Sequence, residues 1–349
     1  MLVAFDCERM KYPHTGLFEY CHKLGLSLIK TKCEQDDISF YMQVKDRHYF
    51  EHGAKFITQK SLHKFIFPSL DSAINIWHAT HQTSWYMPPA NRKIKRVLTI
   101  HDLNFLYEEK SSSKRLKYLK KHQKNIDLAD HIIAISEFTK KDVIKNLRID
   151  KPITVIYNGC EVEEFPDYDT PIYLPSKPFI FALGTVNEKK NFHVLPCLLE
   201  KNNFELIIAG KVDDNYKVRI LEEAKRYHAE NRVKIIGTIA NEDKYWYYKN
   251  CEAFLLPSLA EGFGIPVVEA MNFGKPVFLS TNTSLPEIGG KLAYYFDNFD
   301  AKYMQQVLLT GLNHYKSSNP SAEIIKHAKG FNWDKSALAY WEVYKSLMK

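Results

Sequence analysis

The sequence predicts an α/β protein built as two Rossmann-like, doubly wound domains in series. Three observations carry this. Short β-branched and apolar runs alternate with helix-like stretches from end to end, the pattern of parallel strands covered by helices on both faces. The alternation breaks once, where Pro166, Asp167, Asp169, Pro171, Pro175, Ser176 and Pro178 fall within thirteen residues, and then restarts. The 349 residues are long for one hydrophobic core and comfortable for two.

In the first half, strands are expected near Leu2–Phe5, Ile38–Val44, Ile74–Ala79, Val97–His101, His131–Ile135 and Ile153–Ile156. Helices are expected near Leu17–Ile29, Lys114–Leu128 and Glu137–Leu147, the last with Ser136 as N-cap. In the second half, the strands are Phe179–Leu183, Glu205–Ala209, Val233–Ile236, Ala253–Leu256 and Pro276–Leu279, with Gly184, Gly210 and Gly237 each ending one. The expected domains are 1–165 and 178–330. A linker covers 166–177, and residues 331–349 form an aromatic-rich packing helix.

Composition excludes several classes. Apolar residues make up 45% and charged residues 26%, an ordinary globular balance. No run approaches the ~20 apolar residues of a membrane-spanning helix, and the N-terminus has no basic n-region, so a cytoplasmic protein is expected. The six cysteines (Cys7, Cys21, Cys33, Cys160, Cys197, Cys251) form no C-x2-C pair and read as free thiols. No metal is expected. His78-x-x-His81 lacks an obvious third ligand, and Asp167-Tyr168-Asp169 lies in the linker stretch. No G-x-G-x-x-G follows the first strand, which argues against a nicotinamide dehydrogenase.

The net charge of +7 is lopsided: residues 1–150 carry 25 Lys+Arg against 17 Asp+Glu, the remainder 23 against 24. Two clusters stand out, Arg92-Lys93-Ile94-Lys95-Arg96 and the stretch holding Lys114, Arg115, Lys117, Lys120 and Lys121. Such a face attracts phosphates, an anionic glycan or an anionic membrane surface; a merely solvated helix face is the alternative.

In doubly wound sheets, ligands bind beyond the carboxyl ends of the strands, so the residues just after each strand matter most. After Ala253–Leu256 comes Pro-Ser-Leu-Ala-Glu261-Gly262-Phe263-Gly264-Ile265-Pro266-Val-Val-Glu269, and the helix stops at Gly274. The glycines allow a tight turn and close backbone approach, and Pro266 suits a helix start. The amides around Phe263, Gly264 and Ile265 would then form an anion site, flanked by two carboxylates that can accept from hydroxyls. After Phe179–Leu183 comes Gly184-Thr185-Val186-Asn187-Glu188-Lys189-Lys190-Asn191, whose lysine pair can neutralise a diphosphate and stabilise a charged leaving group. Asn191 is a candidate cap for a following helix. In the first half, His101 is the first polar residue beyond its strand and can donate to a sugar hydroxyl. Gly16 opens the helix after the first strand, with His14 and Thr15 beside it.

Glu261 and Glu269, in the setting E-G-F-G-I-P-x-x-E-A, resemble the Glu-x7-Glu motif of the retaining glycosyltransferases of the GT-B fold, the large group 1 or family 4 type. The resemblance extends over the second half and, more loosely, the first. It implies two Rossmann-like domains facing across a cleft, with the nucleotide-sugar donor on the second, the acceptor on the first and the last helix crossing back to the first. It implies that Glu269 takes the ribose hydroxyls, and that Glu261 with the Gly262–Ile265 turn takes the donor sugar and diphosphate. Gly184, Lys189 and Lys190 match the family's basic loop, although Lys189 and Thr185 stand where an arginine is common, and lysine lacks arginine's bidentate fork. His101, Lys190 and Glu261 would be the catalytic groups and Gly16 a contact of the donor phosphate and acceptor.

The resulting expectation is hexosyl transfer with retention from a GDP- or UDP-sugar to a saccharide or lipid-linked acceptor in cell-surface polysaccharide or lipopolysaccharide synthesis. It includes no metal cofactor, no nucleic-acid partner and peripheral contact with an anionic membrane. A nucleotide-sugar epimerase, a phosphorylase-like enzyme and a non-catalytic nucleotide-sugar-binding subunit are the rivals.

Overall fold

The computed structural model describes residues 1–13, 15–50, 53–68, 73–90, 93–108 and 110–349. His14 and Arg92, named above, lie outside the described residues. The chain divides into two compact units. The first comprises Met1–Gly159 with Asn332–Lys349, and the second Cys160–Phe331.

In the first unit the described strands are β1 (Leu2–Asp6), β2 (Asp37–Met42), β3 (Lys55–Thr58), β4 (Ile74–Ala79), β5 (Lys95–Ile100), β6 (His131–Ala134) and β7 (Ile153–Val155). They form one parallel sheet in the order β3-β2-β1-β4-β5-β6-β7. The inner strands are apolar on both faces, because helices cover both: Val3, Phe5 and Ile76 point into one core, Ala4, Trp77 and Leu98 into the other. The helices are α1 (Gly16–Thr31), α2 (Ser112–Leu128) and α3 (Glu137–Asn146). Ser136 caps α3 by accepting from the Thr139 amide at 3.0 Å.

The C-terminal helix, Trp333–Ser346, belongs to this first unit and packs along α1. Its Tyr340 hydroxyl pairs with that of Tyr20 at 2.7 Å, Tyr344 reaches His78 Nδ1 at 2.7 Å, and Trp341 donates to the Leu28 carbonyl at 3.3 Å. His78 also bonds Thr99 through Nε2 at 2.8 Å, so both ring nitrogens are committed within the core.

The second unit holds β8 (Phe179–Leu183), β9 (Glu205–Ala209), β10 (Val233–Gly237), β11 (Ala253–Leu256), β12 (Val277–Ser280) and β13 (Tyr294–Phe296), parallel and ordered β10-β9-β8-β11-β12-β13. Its helices are α4 (Asp214–Arg226), α5 (Asn241–Asn250), α6 (Ile265–Asn272), α7 (Leu285–Gly289), α8 (Ala301–Ser318) and α9 (Ser321–Ala328).

Three expectations are corrected. The division falls at Gly159/Cys160, not after 165. The proline-rich stretch 166–177 is not a linker but a strap on the second unit. Tyr168 and the Ile172 amide both donate to Asp243 Oδ1, at 2.6 and 2.8 Å, while Tyr173 and Ser176 donate to Glu205. Beyond Lys190 no regular helix forms; three short 3-10 turns run from Glu188 to Leu199, because Asn191 takes a left-handed conformation (φ 58°) and Pro196 removes a donor. The edge strands β3 and β13 had no counterpart in the sequence reading. Each is only three or four residues long and mostly half-buried.

Candidate functional site

At the carboxyl end of β8 the chain turns at Gly184, whose φ of +151° favours glycine. A side chain there would also collide with its neighbour. A Cβ would lie 2.7 Å from Lys190 Cε, so the lysine stem rests directly on the glycine. Gly210 backs this turn in the same way; a Cβ on it would sit 2.0 Å from the Gly184 carbonyl oxygen. Asn187 Oδ1 accepts from the Lys190 amide at 3.3 Å.

Lys190 Nζ then meets Glu261 Oε1 at 2.5 Å, with 12% of each side chain exposed. Ser258 Oγ donates to the same oxygen at 2.7 Å, and the Glu261 amide donates to Thr283 Oγ1 at 2.8 Å. The two loops are tied through backbone as well, the Leu259 amide donating to the Lys189 carbonyl at 2.8 Å. Burial pushes the Glu261 carboxyl up, but the Lys190 charge and hydrogen bond, the Lys189 charge and the Ser258 hydroxyl outweigh it. The net result lies below the usual carboxylate range. The Glu261 carboxylate is therefore ionised near neutral pH.

Gly264 caps α6 with φ +107°, and Pro266 sits in the first turn. The Val267 amide bonds back to the Gly264 carbonyl at 2.9 Å. Ser284 Oγ holds the turn from below, within 3.0 Å of the Glu261 and Phe263 carbonyls. The Phe263 ring is buried edge-on against Phe331, at 5.6 Å between ring centres, so this residue can offer only its backbone to a ligand. Ile265 is half-buried at the first position of α6.

Glu269, one turn on, is held by two groups from α5. Lys244 Nζ lies 2.8 Å from Oε1 and the Tyr248 hydroxyl donates to Oε2 at 2.9 Å. Burial opposes the Lys244 charge, but Glu269 and Tyr245 more than offset it and hold the ammonium above the usual lysine range. Burial, then the Glu269 charge, pushes the Tyr248 phenol well up, so it stays a donor. The structure thus gathers Gly184, Lys189, Lys190 and Glu261 at one point. It gives Glu269 a separate pair of partners.

His101 and Gly16 belong to the other unit. His101 is buried at the end of β5 and donates Nε2–H to the Thr80 carbonyl at 2.7 Å, with its ring edge-on to Tyr20. Burial, with Arg9 nearby, lowers it to about 4 despite the Thr80 bond, so the ring is neutral and its Nδ1 can only accept. Gly16 opens α1 in the open, with nothing within 4 Å of a Cβ built there, while Thr15 caps the helix through the Phe18 amide at 3.3 Å.

Several site residues were missed. Lys244 and Tyr248 lie four apart on α5, a spacing that shares a helix face, but nothing in the sequence pointed at Glu269. In the first unit, Asp6, Glu8 and Arg9 crowd the carboxyl end of β1. Asp6 accepts from Ser84 Oγ at 2.6 Å and the Glu8 amide at 2.9 Å, and Arg9 bridges His81 Nδ1 and Thr83 Oγ1 at 2.9 and 2.6 Å. Burial first, then the Glu8 charge, raises Asp6 to about 7.

Comparison with known proteins identifies the class of enzyme. The family model for glycosyl transferases group 1 matches residues 173–326, and that for glycosyltransferase family 4 matches 45–164. Together the two models span most of the chain, which is a glycosyltransferase whose second unit matches the group 1 model. It is 25% identical to the O-antigen chain mannosyltransferase B of Escherichia coli, over 99% of this chain and 100% of that one. It is 27% identical to a serotype-specific mannosyltransferase of the same organism, over 75% of this chain but only 35% of that longer one. Its fold matches the sucrose-phosphate synthase of Thermosynechococcus elongatus with a TM-score of 0.76 at 16% identity, covering 100% of this chain and 99% of that one. It matches Anabaena HepE, solved with UDP and glucose, with a TM-score of 0.68 at 16% identity, over 99% and 100%. This glycosyltransferase has the two-domain α/β architecture of the GT-B fold.

Proposed function

We propose that this glycosyltransferase moves a hexose, with mannose as the first candidate, from a nucleotide-diphosphate sugar to a saccharide or lipid-linked acceptor, with retention, in surface polysaccharide synthesis. The observation that carries the reading is the salt bridge of Lys190 with Glu261, at 2.5 Å beside the start of α6. A cation there is already desolvated and fixed over Gly184. When a donor diphosphate arrives, Lys190 exchanges its carboxylate partner for phosphate oxygens. Glu261 is then released toward the sugar hydroxyls. As the glycosidic bond breaks, charge accumulates on the diphosphate, and Lys190, Lys189 and the α6 amides stabilise it more than they stabilise the ground state. No protein nucleophile and no divalent ion are required in this scheme. Glu269 accepts from the nucleotide ribose, with Lys244 and Tyr248 fixing its orientation.

The acceptor side falls to the first unit. The choice of mannose rests on the two mannosyltransferase relatives; Anabaena HepE was solved with UDP and glucose, so GDP- and UDP-sugars both belong in the test. Binding and turnover are measured across a nucleotide-sugar panel in the presence of EDTA, on the intact protein and on Lys190→Ala and Glu269→Ala. One donor is expected to bind tightly and to lose affinity in both variants. Binding that requires a divalent ion and ignores both substitutions overturns the reading.

A further inference from the structure

The first unit displays a turn whose Phe67 packs on the core while its neighbours face outward. After β3 the chain runs through Gln59–Pro68, where Phe65 is 86% exposed and Ile66 65%, with Leu62 also exposed. Monomeric proteins rarely leave such neighbours together in water without a use. Lys60, His63 and Lys64 are interleaved with them, and residues 55–68 contain no acidic residue.

This turn does not stand alone. His63 Nδ1 bonds the Tyr41 hydroxyl at 2.8 Å, and the Tyr41 ring meets Tyr86 at 5.2 Å. Next to Tyr86, Trp85 is 56% exposed, with Lys121 Nζ 4.4 Å from its ring centre. Asn125 pins α2 against the same loop through the Gln82 and Ser84 carbonyls, at 3.0 and 2.9 Å. Lys114, Lys117 and Lys121 share one stripe of α2, and residues 110–124 hold seven Lys/Arg and no Asp/Glu. Leu116 and Tyr118 are exposed among them. Because the sheet is parallel, the turn after β3, the loop after β4 and the segment after β5 all leave from its carboxyl edge.

We infer that this face of the first unit docks on an anionic bilayer, with Phe65, Ile66 and Trp85 entering the headgroup boundary and the α2 lysines pairing with lipid phosphates. Exposed aromatics among lysines are the composition of an interfacial membrane surface. A second copy of the chain is the poorer occupant, since it would set lysine against lysine. Only the benefit, access to a lipid-linked acceptor, rests on the function proposed above.

The test is flotation of the intact protein with vesicles of phosphatidylcholine mixed with phosphatidylglycerol, and with vesicles of phosphatidylcholine alone. Binding is expected only to the mixed vesicles. It should fall about a hundredfold in Lys114→Gln/Lys117→Gln/Lys121→Gln, since each lysine near an anionic surface contributes a factor of about five. It should fall by a factor of about ten in Phe65→Ser/Ile66→Ser. Thermal unfolding and nucleotide-sugar binding should be unchanged in both. A second measurement needs no disruptive variant: brominated phosphatidylglycerol should quench a fluorescence component of the intact protein that Trp85→Phe lacks. Failure of the intact protein to prefer mixed vesicles overturns the assignment, as does equal binding by both variants. Self-association lost in Phe65→Ser/Ile66→Ser, without vesicle binding, gives the face to a second copy and also overturns it. A protein that floats but binds no nucleotide sugar keeps this face and loses the proposed donor chemistry.

Discussion

Lys190 and Glu261 stand 71 positions apart in the sequence and 2.5 Å apart in the structure, sharing a carboxylate oxygen with Ser258. Two loops from adjacent strands, β8 and β11, deliver them. The first prediction concerns this pair. Lys190→Ala should lower kcat/KM for transfer by about 10²–10³, the effect of removing one preorganised group at a developing charge. Lys190→Arg should recover part of the loss, because the charge returns on a longer, planar head. Steady-state kinetics with the donor identified by the panel checks both.

Glu269 gives a second prediction. Lys244→Leu removes the ammonium 2.8 Å from a buried carboxylate. Leaving a buried charge unpaired costs about 3–5 kcal/mol, so thermal unfolding should shift down markedly. Lys244→Leu/Glu269→Gln should recover much of that stability while remaining poor at donor binding. Calorimetry and donor titration on the two variants and the parent protein separate the two effects; equal stability of the single and double variants would count against the pairing.

Gly210→Ala should be more damaging than its size suggests. The residue has φ +133°, and a methyl group would fall 2.0 Å from the Gly184 carbonyl oxygen. Backbone strain of this kind alone costs about 1–3 kcal/mol, and the displaced oxygen belongs to the turn that carries Lys190. Denaturant unfolding and donor affinity should both suffer, whereas Gly16→Ala, where nothing lies within 4 Å, should unfold like the parent protein.

The buried carboxyl of Asp6 predicts a pH dependence. Its folded value, raised to about 7 from 3.8, lies above the unfolded one. The group therefore binds more protons in the folded state, and its stabilising contribution is full below pH 4 and lost as pH rises through 7. Between these limits the first unit should lose on the order of 2–4 kcal/mol. Asp6→Asn, which cannot ionise, should flatten that profile; chemical denaturation from pH 4 to 8 measures it.

The parts of this molecule that were legible beforehand are those where one local feature reports a global fact. Gly184 follows an apolar strand and precedes charged residues, so the turn and the strand end were read together. Glu261 and Glu269 were readable through their spacing. The remainder depends on partners far along the chain. Lys244 and Tyr248 look like any polar pair on a helix until α6 packs beside them. Asp6 ends a strand as many acids do, and Ser84, 78 residues later, closes over it. The stretch 166–177 has the composition of a free linker, yet Asp243 and Glu205 tie it down, and proline content alone does not tell a strap from a tether. His101 was placed correctly at a strand end, but its bond to the Thr80 carbonyl is set by the loop after β4.

The return of residues 332–349 to the first unit has a consequence for biosynthesis. On the ribosome, every residue of the second unit emerges before the helix that carries Trp341 and Tyr344. Domains commonly fold in the order they are made. Here the first sheet is synthesised early but must wait, with the apolar face of α1 bare, until the second unit has been made. Of the two units, the one begun first is completed second, so its unfinished core needs protection while the other is made.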